Sequence, residues 1–578
     1  MTNAQIAAAL DELGDLYELD GAVQYRVLAY RTAARTVREA SVSVEQLVRD
    51  GRVTDLAGIG KTLETKLQRL VETGDMEQSQ KLRAQFPSGL IAMMHLPGFG
   101  PKRARRLYDE LGIDSLEALR AAAEQQKLRG LRGFGAKVEE KLLEQLASGF
   151  DGRPAPRILL SRAQPIAEQV VDALRAAPGA ERVEVAGSLR RRADSVKDLD
   201  VIATATDPAG LAQTLTELPL VESVQQAGDV GARVLTHSGM KVDLKVVAPD
   251  QFGNVLQHFT GSKEHNVALR ESAVKRGLHV SEYGILDDAT GETLRCATEE
   301  EVYARLGLEW IPPELRQGRG ELEAAAAGTL PELITQAHLR GDLHCHTVLS
   351  DGRQDVEAMV DGARTLGYEY LAITDHSASH GFGDHVEPDA LRAQIERVRG
   401  LNEELDGFDV LIGTETNVLT DGGLDYDDEL LAELDWVVAS VHTSFGMSEQ
   451  DMTARMVAAI EHPLVDVIGH PTGRKIESRS PYALDVERVI EAAARTGTML
   501  EINAAPDRRD LNDLHARAAA EAGVLIVIDS DAHSVRNLRL MRFGIATARR
   551  AWLTPAQVAN TRPWAELQPL RKRSRAAA

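Results

Sequence analysis

The stretch "GDLHCHTVLSDG", residues 341–352, places two histidines two residues apart and an acid five residues after the second. On an extended segment His344 and His346 face one way and Cys345 faces the other. From residue 338 onward short apolar runs alternate with helical stretches, which is typical of repeated βα units. The stretch therefore predicts the first strand of an α/β domain, with two imidazoles presented to one side.

Several later runs of this domain end in a histidine or an acid. Side chains at the ends of successive parallel strands converge on one site. A lone histidine at a strand end is usually an ordinary buried residue, but nine positions in this order favour a metal centre. Imidazoles and carboxylates without a thiolate suit Mn, Zn or Fe, which activate water and bind phosphate. The nine residues are His344, His346, Asp351, His376, Glu415, His442, His470, Asp531 and His533. The ordinary interpretation is kept for His338, His380, His385, His462 and His515.

These nine positions resemble the polymerase-and-histidinol-phosphatase (PHP) family over roughly 338–560. The resemblance implies a distorted seven-stranded barrel, two to three Mn²⁺, Zn²⁺ or Fe²⁺ ions and hydrolysis of phosphoesters. By this resemblance one ion takes His344, His346, Glu415 and Asp531. A second shares Glu415 and takes His442 and His470. A third takes Asp351, His376 and His533.

A second acidic pattern lies in "VAGSLRRRADSVKDLDVI", residues 185–202. Asp198 and Asp200 are two apart on a predicted strand, so both carboxylates face one side, and Asp243 in "KVDLKVV" can reach them from a neighbouring strand. Three carboxylates can hold two Mg²⁺ or Mn²⁺ ions for attack on a phosphoryl group. The preceding "GSLRR" offers a tight turn, a hydroxyl and arginines for a triphosphate. The candidate triphosphate-binding residues in this stretch are Gly187, Ser188 and Arg191.

The pattern resembles the nucleotidyltransferase palm of family X DNA polymerases, and the resemblance covers nearly all of 1–316. "HFTGSKEHNVALR", residues 258–270, is similar to the stretch that contacts the new base pair. The nucleotide-binding residues implied there are Gly261, Ser262, Lys263, Asn266 and Arg270. Lys197 stands where the family usually has glycine, so it either pairs with a carboxylate or phosphate, or disturbs the turn.

Three similar turns punctuate residues 1–150: "LAGIGK" (56–61), "LPGFGP" (96–101) and "LRGFGA" (131–136). Their glycines permit tight turns and expose N–H groups at the next helix, where DNA phosphate can bind without sequence readout. One copy is an ordinary helical hairpin, but three copies followed by basic residues favour DNA binding and resemble helix-hairpin-helix motifs. The predicted contacts are Gly58, Gly60, Lys61, Gly98, Gly100, Lys102, Gly133, Gly135 and Lys137.

Residues 56–74 resemble the lyase domain of family X polymerases, in which Lys66 corresponds to a Schiff-base lysine and Tyr30 to a tyrosine of the same pocket. A lysine nucleophile needs a lowered pKa. The alternative is that Lys66 is one more phosphate contact on a helix, and both interpretations stay open.

The bulk composition restricts the remaining choices. The chain has 578 residues, which predicts several domains, and the net charge of −22 falls entirely beyond residue 150, since 1–150 has equal numbers of basic and acidic residues. Two cysteines exclude a disulfide framework and predict a cytoplasmic protein. No apolar run has the roughly 20 residues of a membrane span, and the N-terminus lacks the pattern of a signal peptide.

The predicted fold is multidomain: an all-α helix-hairpin-helix region, an α+β palm and thumb, and an α/β barrel. The predicted boundaries are 1–85 (lyase-like), 86–155 (DNA-binding fingers), 156–250 (palm), 251–316 (thumb), 317–337 (linker) and 338–578 (PHP). A family X polymerase followed by a PHP domain is a bacterial and archaeal arrangement. It implies short-gap filling in DNA repair, including base excision repair, with a 3′–5′ exonuclease.

The expected partners are gapped or nicked double-stranded DNA and deoxynucleoside triphosphates, with no membrane and a monomeric chain. Two other interpretations stay open. One is a PHP nuclease whose weakened palm only positions DNA. The other is a non-catalytic DNA-end scaffold, which the complete sets of acids and histidines disfavour.

Overall fold

The computed structural model describes residues 1–578 except 23, 41–42, 57, 95, 97–99, 132–133, 136–138, 140–141, 144–145, 147–156, 381–385, 477, 573 and 575–578. Contacts divide the chain into two compact units. The first contains Met1–Ile158, Arg162–Val185 and Lys197–Ala248; the second contains Leu159–Ser161, Ala186–Val196 and Pro249–Ala578. Among the described residues, no helix combines the length and hydrophobicity needed to cross a bilayer.

The first unit begins with short helices that share one apolar core. Side chains begin several of them: Thr2 forms a capping box, and Ser43 and Ser115 accept from backbone N–H groups. Gly74 and Gly112 end two others in the left-handed conformation. The helices are Asn3–Leu19, Gln24–Glu39, Val44–Arg49, Lys61–Thr73, Glu77–Arg83, Ser88–Met94, Pro101–Leu111 and Leu116–Glu124. These elements agree with the predicted all-α region.

The same unit contains a five-stranded sheet. The chain first forms the short strand β1 (Ile158–Leu159), the helix Leu160–Ala176 and β2 (Ala180–Val185). The short strand β3 (Ser195–Val196), which belongs to the second unit, precedes the remaining sheet strands. These are β4 (Asp198–Ala205), β5 (Val221–Gly228), β6 (Gly231–Thr236) and β7 (Lys241–Val246), with the helix Pro208–Thr216 after β4. The order is β2-β4-β7-β6-β5, and β4 and β7 are its parallel pair.

The second unit contains a small helical and antiparallel region. Its strands β8 (Leu278–Ser281), β9 (Gly284–Asp287) and β10 (Thr293–Leu294) pair in the order β10-β9-β8. Its helices are Gly187–Arg190, Phe252–Thr260, Lys263–Val274, Glu299–Arg305 and Glu321–Ala327. The last helix lies in the segment predicted as a linker, and its Leu322 and Ala325 pack into the core around Tyr303.

Seven parallel strands, neighbours in chain order, form the barrel of the second unit. They are β11 (Gly341–Cys345), β12 (Tyr370–Ile373), β13 (Asp409–Asn417), β14 (Trp436–Ser440), β15 (Val467–Ile468), β16 (Met499–Asn503) and β17 (Ile526–Asp529). Its helices are Val356–Thr365, Pro388–Glu404, Asp428–Ala432, Glu449–Glu461, Val486–Thr496, Asp513–Glu521, Met541–Arg550 and Trp564–Leu567. A parallel bridge from Cys345 to Ala532 joins the first strand to the chain after the last, and the His346 N–H donates to the Ala532 carbonyl at 2.8 Å. The predicted seven-stranded barrel is confirmed.

Alternation along each strand sorts the barrel residues. In β16, Met499 joins the apolar interior, while Leu500 and Ile502 join the outer core under the helices. The interior position two residues on is the acid Glu501, and the next is Asn503. The barrel interior is therefore apolar where the strands begin and polar at their carboxyl ends, and this change positions the candidate site.

Candidate metal centre and nucleic-acid sites

The carboxyl ends of the barrel strands bring all nine predicted ligands into one largely buried cluster. Their groups overlap through shared histidines, and within each group the candidate ligand atoms lie within 4.8 Å of one another. The groups are His346, Asp351, His376 and His533; His344, His346 and Asp531; and His376, Glu415 and His442. His470 adjoins the third group, because its Nε2 lies 3.0 Å from Glu415 Oε1.

This grouping differs in detail from the one implied by the family resemblance. His346 lies between the first two groups instead of in one. His376 contacts Glu415 at 2.8 Å as well as lying 3.7 Å from Asp351. The His346 and His376 rings are tilted by 33° with centroids 4.4 Å apart, so both stand at the middle of the cluster.

The spacings suit ions held between these side chains. Two ligands about 2.1 Å from one ion, at tetrahedral or octahedral angles, lie roughly 3.0–3.4 Å apart. His346 Nε2 lies 3.2 Å from Asp531 Oδ1, and His533 Nε2 lies 3.2 Å from Asp351 Oδ2. Both ring nitrogens of His346 are buried and make no hydrogen bond within the described residues. A buried nitrogen without a hydrogen bond is unfavourable, and a bound cation would supply the missing partner.

The charges of the cluster also suit metal binding. Burial by itself would raise the pKa of the Glu415 carboxyl group. The nearby His442, His376 and His344 outweigh this effect and hold that pKa well below its ordinary value. Burial lowers the pKa of His346 to about 4, assisted by His533 and His376. The acid is therefore ionised and the imidazole neutral, which are the forms that bind metals.

Backbone strain accompanies two of these residues. His470 has φ of 30° and Asp531 has φ of 52°, both in the left-handed region that non-glycine residues rarely adopt. Gly469 precedes His470, and a Cβ there would lie 2.4 Å from Ser440 Oγ. Such strain persists only where the surroundings fix the conformation, and it is concentrated at functional sites.

The sequence prediction missed several residues that hold the ligands in place. Glu501 accepts from His344 Nδ1 at 2.7 Å, which directs the opposite nitrogen of that ring into the cluster. Asp375 accepts from the Thr347 N–H at 2.7 Å and the Ser350 hydroxyl at 2.6 Å, fixing the turn that leads to Asp351. The sequence signal that could have identified Glu501 is an acid at an inward-facing position of a buried strand, in "MLEIN".

His380, predicted to be an ordinary buried histidine, also lies at the cluster. Its ring stacks on that of His376 with centroids 4.6 Å apart and an interplanar angle of 17°. Its Nδ1 lies 2.8 Å from the Ser377 carbonyl. His380 therefore forms part of the wall behind His376.

In the first unit, the three predicted palm acids lie on adjacent strands. Asp200 and Asp243 are partners in the parallel register of β4 and β7, and Asp198 is two residues before Asp200 on the same face. Leu199 fills the buried face between them. Arg233 Nε donates to Asp243 Oδ2 at 3.1 Å, a contact that the sequence did not predict.

In the second unit, the predicted nucleotide residues occur in two neighbouring segments. Arg191 donates to the Thr260 carbonyl, and a Cβ at Gly261 would lie 3.1 Å from its Nη1. Gly261 has φ of 63°, which favours glycine. Ser262 then caps the next helix by accepting from the His265 N–H at 3.2 Å. Gly187 and Ser188 begin the helix Gly187–Arg190, and exposed Lys263 begins the helix that Ser262 caps.

The remaining predicted base-pair contacts lie on one helix. Asn266 donates to the His258 carbonyl at 2.8 Å, and its side-chain oxygen accepts from Gln257 at 2.9 Å. Arg270 Nη2 lies 3.3 Å from His258 Nδ1. Both side chains are therefore held on the side of the helix that faces His258.

A buried ion network fixes the first of these segments. Glu299, 3% exposed, bonds Arg190 at 2.7 and 2.8 Å and Arg316 at 2.6 and 3.1 Å. Arg190 also donates to the Thr260 hydroxyl at 2.7 Å. The helix that begins at Gly187 is thereby tied to the one that ends at Thr260.

The same segment contacts loops of the barrel through Asp194. Its carboxylate pairs with Arg474 at 3.0 Å and with buried Arg509 at 3.1 Å. Burial would raise the pKa of Asp194, but Arg509 and Arg474 outweigh it and lower it. Arg509 Nη2 also donates to the Arg192 carbonyl at 3.1 Å.

Two of the predicted DNA-binding turns precede helices that lack a side-chain cap. Gly60 begins the helix Lys61–Thr73 and Gly100 begins Pro101–Leu111, so first-turn N–H groups are left for a phosphate. Gly58 has φ of 83°, and Lys61 is exposed. Gly135 accepts from the Glu139 N–H at 3.2 Å. Gly98, Gly133, Lys137 and the side chain of Lys102 lie outside the described residues.

Lys66 lies on the first of these helices, beside two tyrosines. Its Nζ donates to the Tyr30 hydroxyl and lies 4.8 Å from the centre of that ring. Tyr30 stacks on Tyr17 at 5.3 Å, and Arg26 lies 5.3 Å from the centre of the Tyr17 ring. The pocket therefore combines a half-buried amine with a nearby positive charge.

Comparison with known families matches four parts of the chain. A helix-hairpin-helix domain matches residues 1–76, a SAM-like helix-hairpin-helix tandem 90–148, the DNA polymerase beta thumb 255–317, and the PHP domain 342–505. The matches agree with the predicted order of the helical region, thumb and barrel.

The chain is also similar to curated proteins. It is 37% identical over 576 residues to the DNA polymerase/3′-5′ exonuclease PolX of Bacillus subtilis (strain 168), covering 99% of this chain and 100% of that protein. A probable phosphatase of Caldanaerobacter subterraneus subsp. tengcongensis is 32% identical over 205 residues, covering 33% of this chain and 75% of its own length. One of Shewanella sediminis is 31% identical over 242 residues, covering 40% and 94%.

Proposed function

The chain belongs to the bacterial family X DNA polymerases that carry a PHP domain, and from this premise we propose that it both extends and trims DNA 3′ ends. The observation that carries the proposal is the presence of two separate sets of acidic residues in one chain. One set lies on paired palm strands, and the other lies among the histidines of the barrel. Each set suits phosphoryl transfer, so the chain is a DNA polymerase and a 3′–5′ exonuclease.

The barrel site performs the hydrolysis. Glu415 lies between several histidines and would hold metal ions together with them, while Asp351 with His533 and Asp531 with His344 would supply further ligands. Two to three Mn²⁺, Zn²⁺ or Fe²⁺ ions fit this donor set. Bound metals would supply a water nucleophile and neutralise charge on the phosphate. The protein keeps the ligands buried, ionised as required and fixed in direction.

The palm performs nucleotide addition. Asp198, Asp200 and Asp243 would hold Mg²⁺ or Mn²⁺, with Gly187, Ser188 and Arg191 for the triphosphate. Arg233 holds Asp243 in place by a direct hydrogen bond. The nucleotide contacts proposed from the family resemblance are Gly261, Ser262, Lys263, Asn266 and Arg270. The substrates are deoxynucleoside triphosphates and a gapped or nicked duplex, on which the chain fills short gaps as a monomer in DNA repair.

The helical region binds the DNA backbone near the gap. Gly58, Gly60 and Lys61 form one phosphate site, and Gly100 begins a second. Lys66 is proposed to act on an incised abasic site by forming a Schiff base with the 5′-deoxyribose phosphate. The basis is its contact with Tyr30, beside Tyr17 and the positive charge of Arg26. Borohydride trapping tests this: the expected adduct disappears in Lys66→Ala, and an adduct that persists there contradicts the role.

The decisive experiment measures two activities of two variants. On a gapped primer duplex with Mg²⁺ or Mn²⁺, Asp198→Ala is expected to abolish extension and retain digestion of the 3′ end. His344→Ala is expected to abolish digestion and retain extension. If either variant loses both activities while its circular dichroism spectrum is unchanged, the two-centre proposal is wrong.

The second candidate is a nuclease that uses its palm only to position DNA. The observation that favours it is Lys197, an exposed lysine immediately before Asp198. Absence of extension by the wild-type chain, with digestion intact and extension restored by Lys197→Gly, would establish this alternative.

A further inference from the structure

A group of positive side chains lies beside the metal centre, outside the nine ligands. Arg508 Nε lies 3.7 Å from Asp531 Oδ2, and the Arg508 side chain is 15% exposed. Its Nη1 is buried and makes no hydrogen bond within the described residues. A buried guanidinium donor without an acceptor is unfavourable, and an anionic oxygen is its best partner.

Lys475 and Arg479 extend this positive group along the loop that follows His470. They form an antiparallel bridge with each other. Burial lowers the pKa of Lys475, and the positive charge of Arg508 lowers it further. Asp507 lies 3.8 Å from Lys475 and neutralises the group only in part. A surplus of positive charge at the mouth of a phosphoesterase site attracts a polyanion.

An aromatic ring stands beside these cations. Phe445 follows the candidate ligand His442 by three residues. The Arg479 guanidinium lies 4.3 Å from the centre of its ring, and the Tyr482 ring is parallel to it within 8° at 6.2 Å. Arg479 Nε also donates to the Gly473 carbonyl at 2.7 Å, which fixes its position. A flat arginine on an aromatic ring is a surface on which an unpaired nucleobase can stack.

We propose that these four side chains form a subsite for the unpaired 3′-terminal nucleotide of a DNA strand. Phe445 and Arg479 stack on its base, while Lys475 and Arg508 bind its phosphate. This inference rests on the proposed exonuclease function and defines its substrate class, because small phosphoesters without a base gain nothing from the stack.

Two chromogenic diesters separate base recognition from chemistry. In thymidine 5′-(4-nitrophenyl phosphate) the thymidine represents the terminal nucleotide, and nitrophenolate represents the upstream 3′-oxygen. Water adds to phosphorus, the bond to nitrophenolate breaks, and thymidine 5′-monophosphate forms. Bis(4-nitrophenyl) phosphate undergoes the same hydrolysis without a base. The measured quantity is the ratio of kcat/KM for the thymidine ester to that for the base-free ester, with Mn²⁺ present.

The variants are Phe445→Ala and Arg479→Lys, which keeps the charge but loses the plane. Each is expected to lower the ratio about tenfold, the size of one base–aromatic stack. The matched control is Arg517→Ala, because Arg517 also lies 4.3 Å over an aromatic ring, that of Trp552, on a helix that contributes no candidate ligand. The control is expected to keep the wild-type ratio.

A second measurement needs no bound metal. An oligonucleotide with 2-aminopurine at its 3′ end is mixed with the full chain in chelator, where stacking quenches the fluorescence of the base. Quenching is expected with wild type and Arg517→Ala, and a loss of most of it is expected with Phe445→Ala. This readout reports contact with the base, independent of hydrolysis.

An unchanged ratio in Phe445→Ala, or an equal fall in Arg517→Ala, would overturn the subsite. Equal quenching by Phe445→Ala and wild type would overturn it as well. If the wild type hydrolyses neither ester nor an oligonucleotide, the proposed exonuclease function fails by itself. The 2-aminopurine measurement then still decides whether the base stacks on Phe445.

Discussion

The barrel centre and the palm each hold several carboxylates close together, but they stabilise these negative charges by opposite means. In the barrel, Glu415 is 1% exposed and is surrounded by histidines, so neighbouring imidazoles stabilise its charge before any ion binds. In the palm, the Asp243 side chain is 24% exposed and has one arginine beside it. The barrel site is therefore preorganised by the protein, whereas the palm relies on solvent, ions and substrate.

This difference has a consequence for how each site tolerates substitution. Substitution of one residue in a buried ligand set is expected to disable the whole site, because removal of one charge leaves several buried groups without their ion-pair partner. A half-exposed set loses the function of the residue removed and little else, since water replaces the missing contact. The following predictions test this contrast, beginning with the largest expected effect.

The largest loss is expected from Glu415→Gln. Glu415 contacts His376, His442 and His470, so the substitution removes the charge that the whole cluster shares. Digestion of 3′ ends should fall far beyond the roughly 100-fold that marks the upper end for residues that only orient a ligand. Metal content of the purified variant, measured by mass spectrometry, should fall with it. Digestion within tenfold of wild type would remove Glu415 from the site.

A smaller but severe effect is expected from Asp243→Asn. Loss of one ion ligand should lower primer extension about a hundredfold or more, while 3′-end digestion and the thermal midpoint stay near wild type. Asp250→Asn, at an exposed acid that pairs with Arg295, serves as the control. A large fall in the thermal midpoint of Asp243→Asn would show that the palm acids are as interdependent as the barrel ligands.

Glu501→Gln should have an intermediate effect on digestion. The residue fixes the His344 ring at 2.7 Å without belonging to the ligand groups, so the expected loss of metal affinity is about 10–100-fold. Titration with Mn²⁺ should therefore restore most activity, which ligand removal does not allow. Glu461→Gln, at a surface pair with Arg495, is the control. Loss of activity that excess Mn²⁺ leaves unchanged would argue for a direct catalytic role.

The smallest effect on either activity, but a clear effect on stability, is expected from Glu299→Gln. Burial would raise the Glu299 pKa, but Arg316 and Arg190 outweigh it and lower it to about 2. A carboxyl group whose pKa is lowered by folding contributes stability that is present above its unfolded value, about 4.3, and lost as pH falls toward 2. The full contribution is on the order of 3 kcal/mol.

Thermal unfolding at pH 7, 5 and 3 checks this. Wild type should lose stability more steeply between pH 5 and 3 than Glu299→Gln does, and the variant should melt at a lower temperature at pH 7. Glu300→Gln changes the exposed neighbour on the same helix and should match wild type. Parallel pH curves for Glu299→Gln and wild type would contradict the proposed charge network.

Much of the fold and of the candidate site could be predicted from the sequence. The short apolar runs of the barrel domain, such as "MLEIN", predicted the strands, and candidate ligands at strand ends predicted where they would meet. Helix-hairpin turns were marked by glycines that L side chains replace poorly, as at Gly58 with φ of 83°. These features are local, since they depend on residues a few positions apart.

The sequence did not predict which residues support the ligands. Glu501 is separated from His344 by 157 positions, and Arg233 from Asp243 by a hairpin, so both contacts depend on strand register. His380 was predicted to be an ordinary buried histidine because the stacking of its ring on His376 has no sequence signature.

By itself the sequence determined the residue types and the order of the elements. It also indicated at which strand ends the chemistry occurs, because polar side chains that recur at successive strand ends are a periodic signal. The tertiary structure alone decided how the nine candidate ligands divide, with His346 near three acids and His376 near two. It also decided that Asp194 pairs with Arg474 and Arg509, which are 280 and 315 residues away in the sequence. Such pairings depend on distances in the folded chain between segments far apart in sequence, which local propensity does not encode.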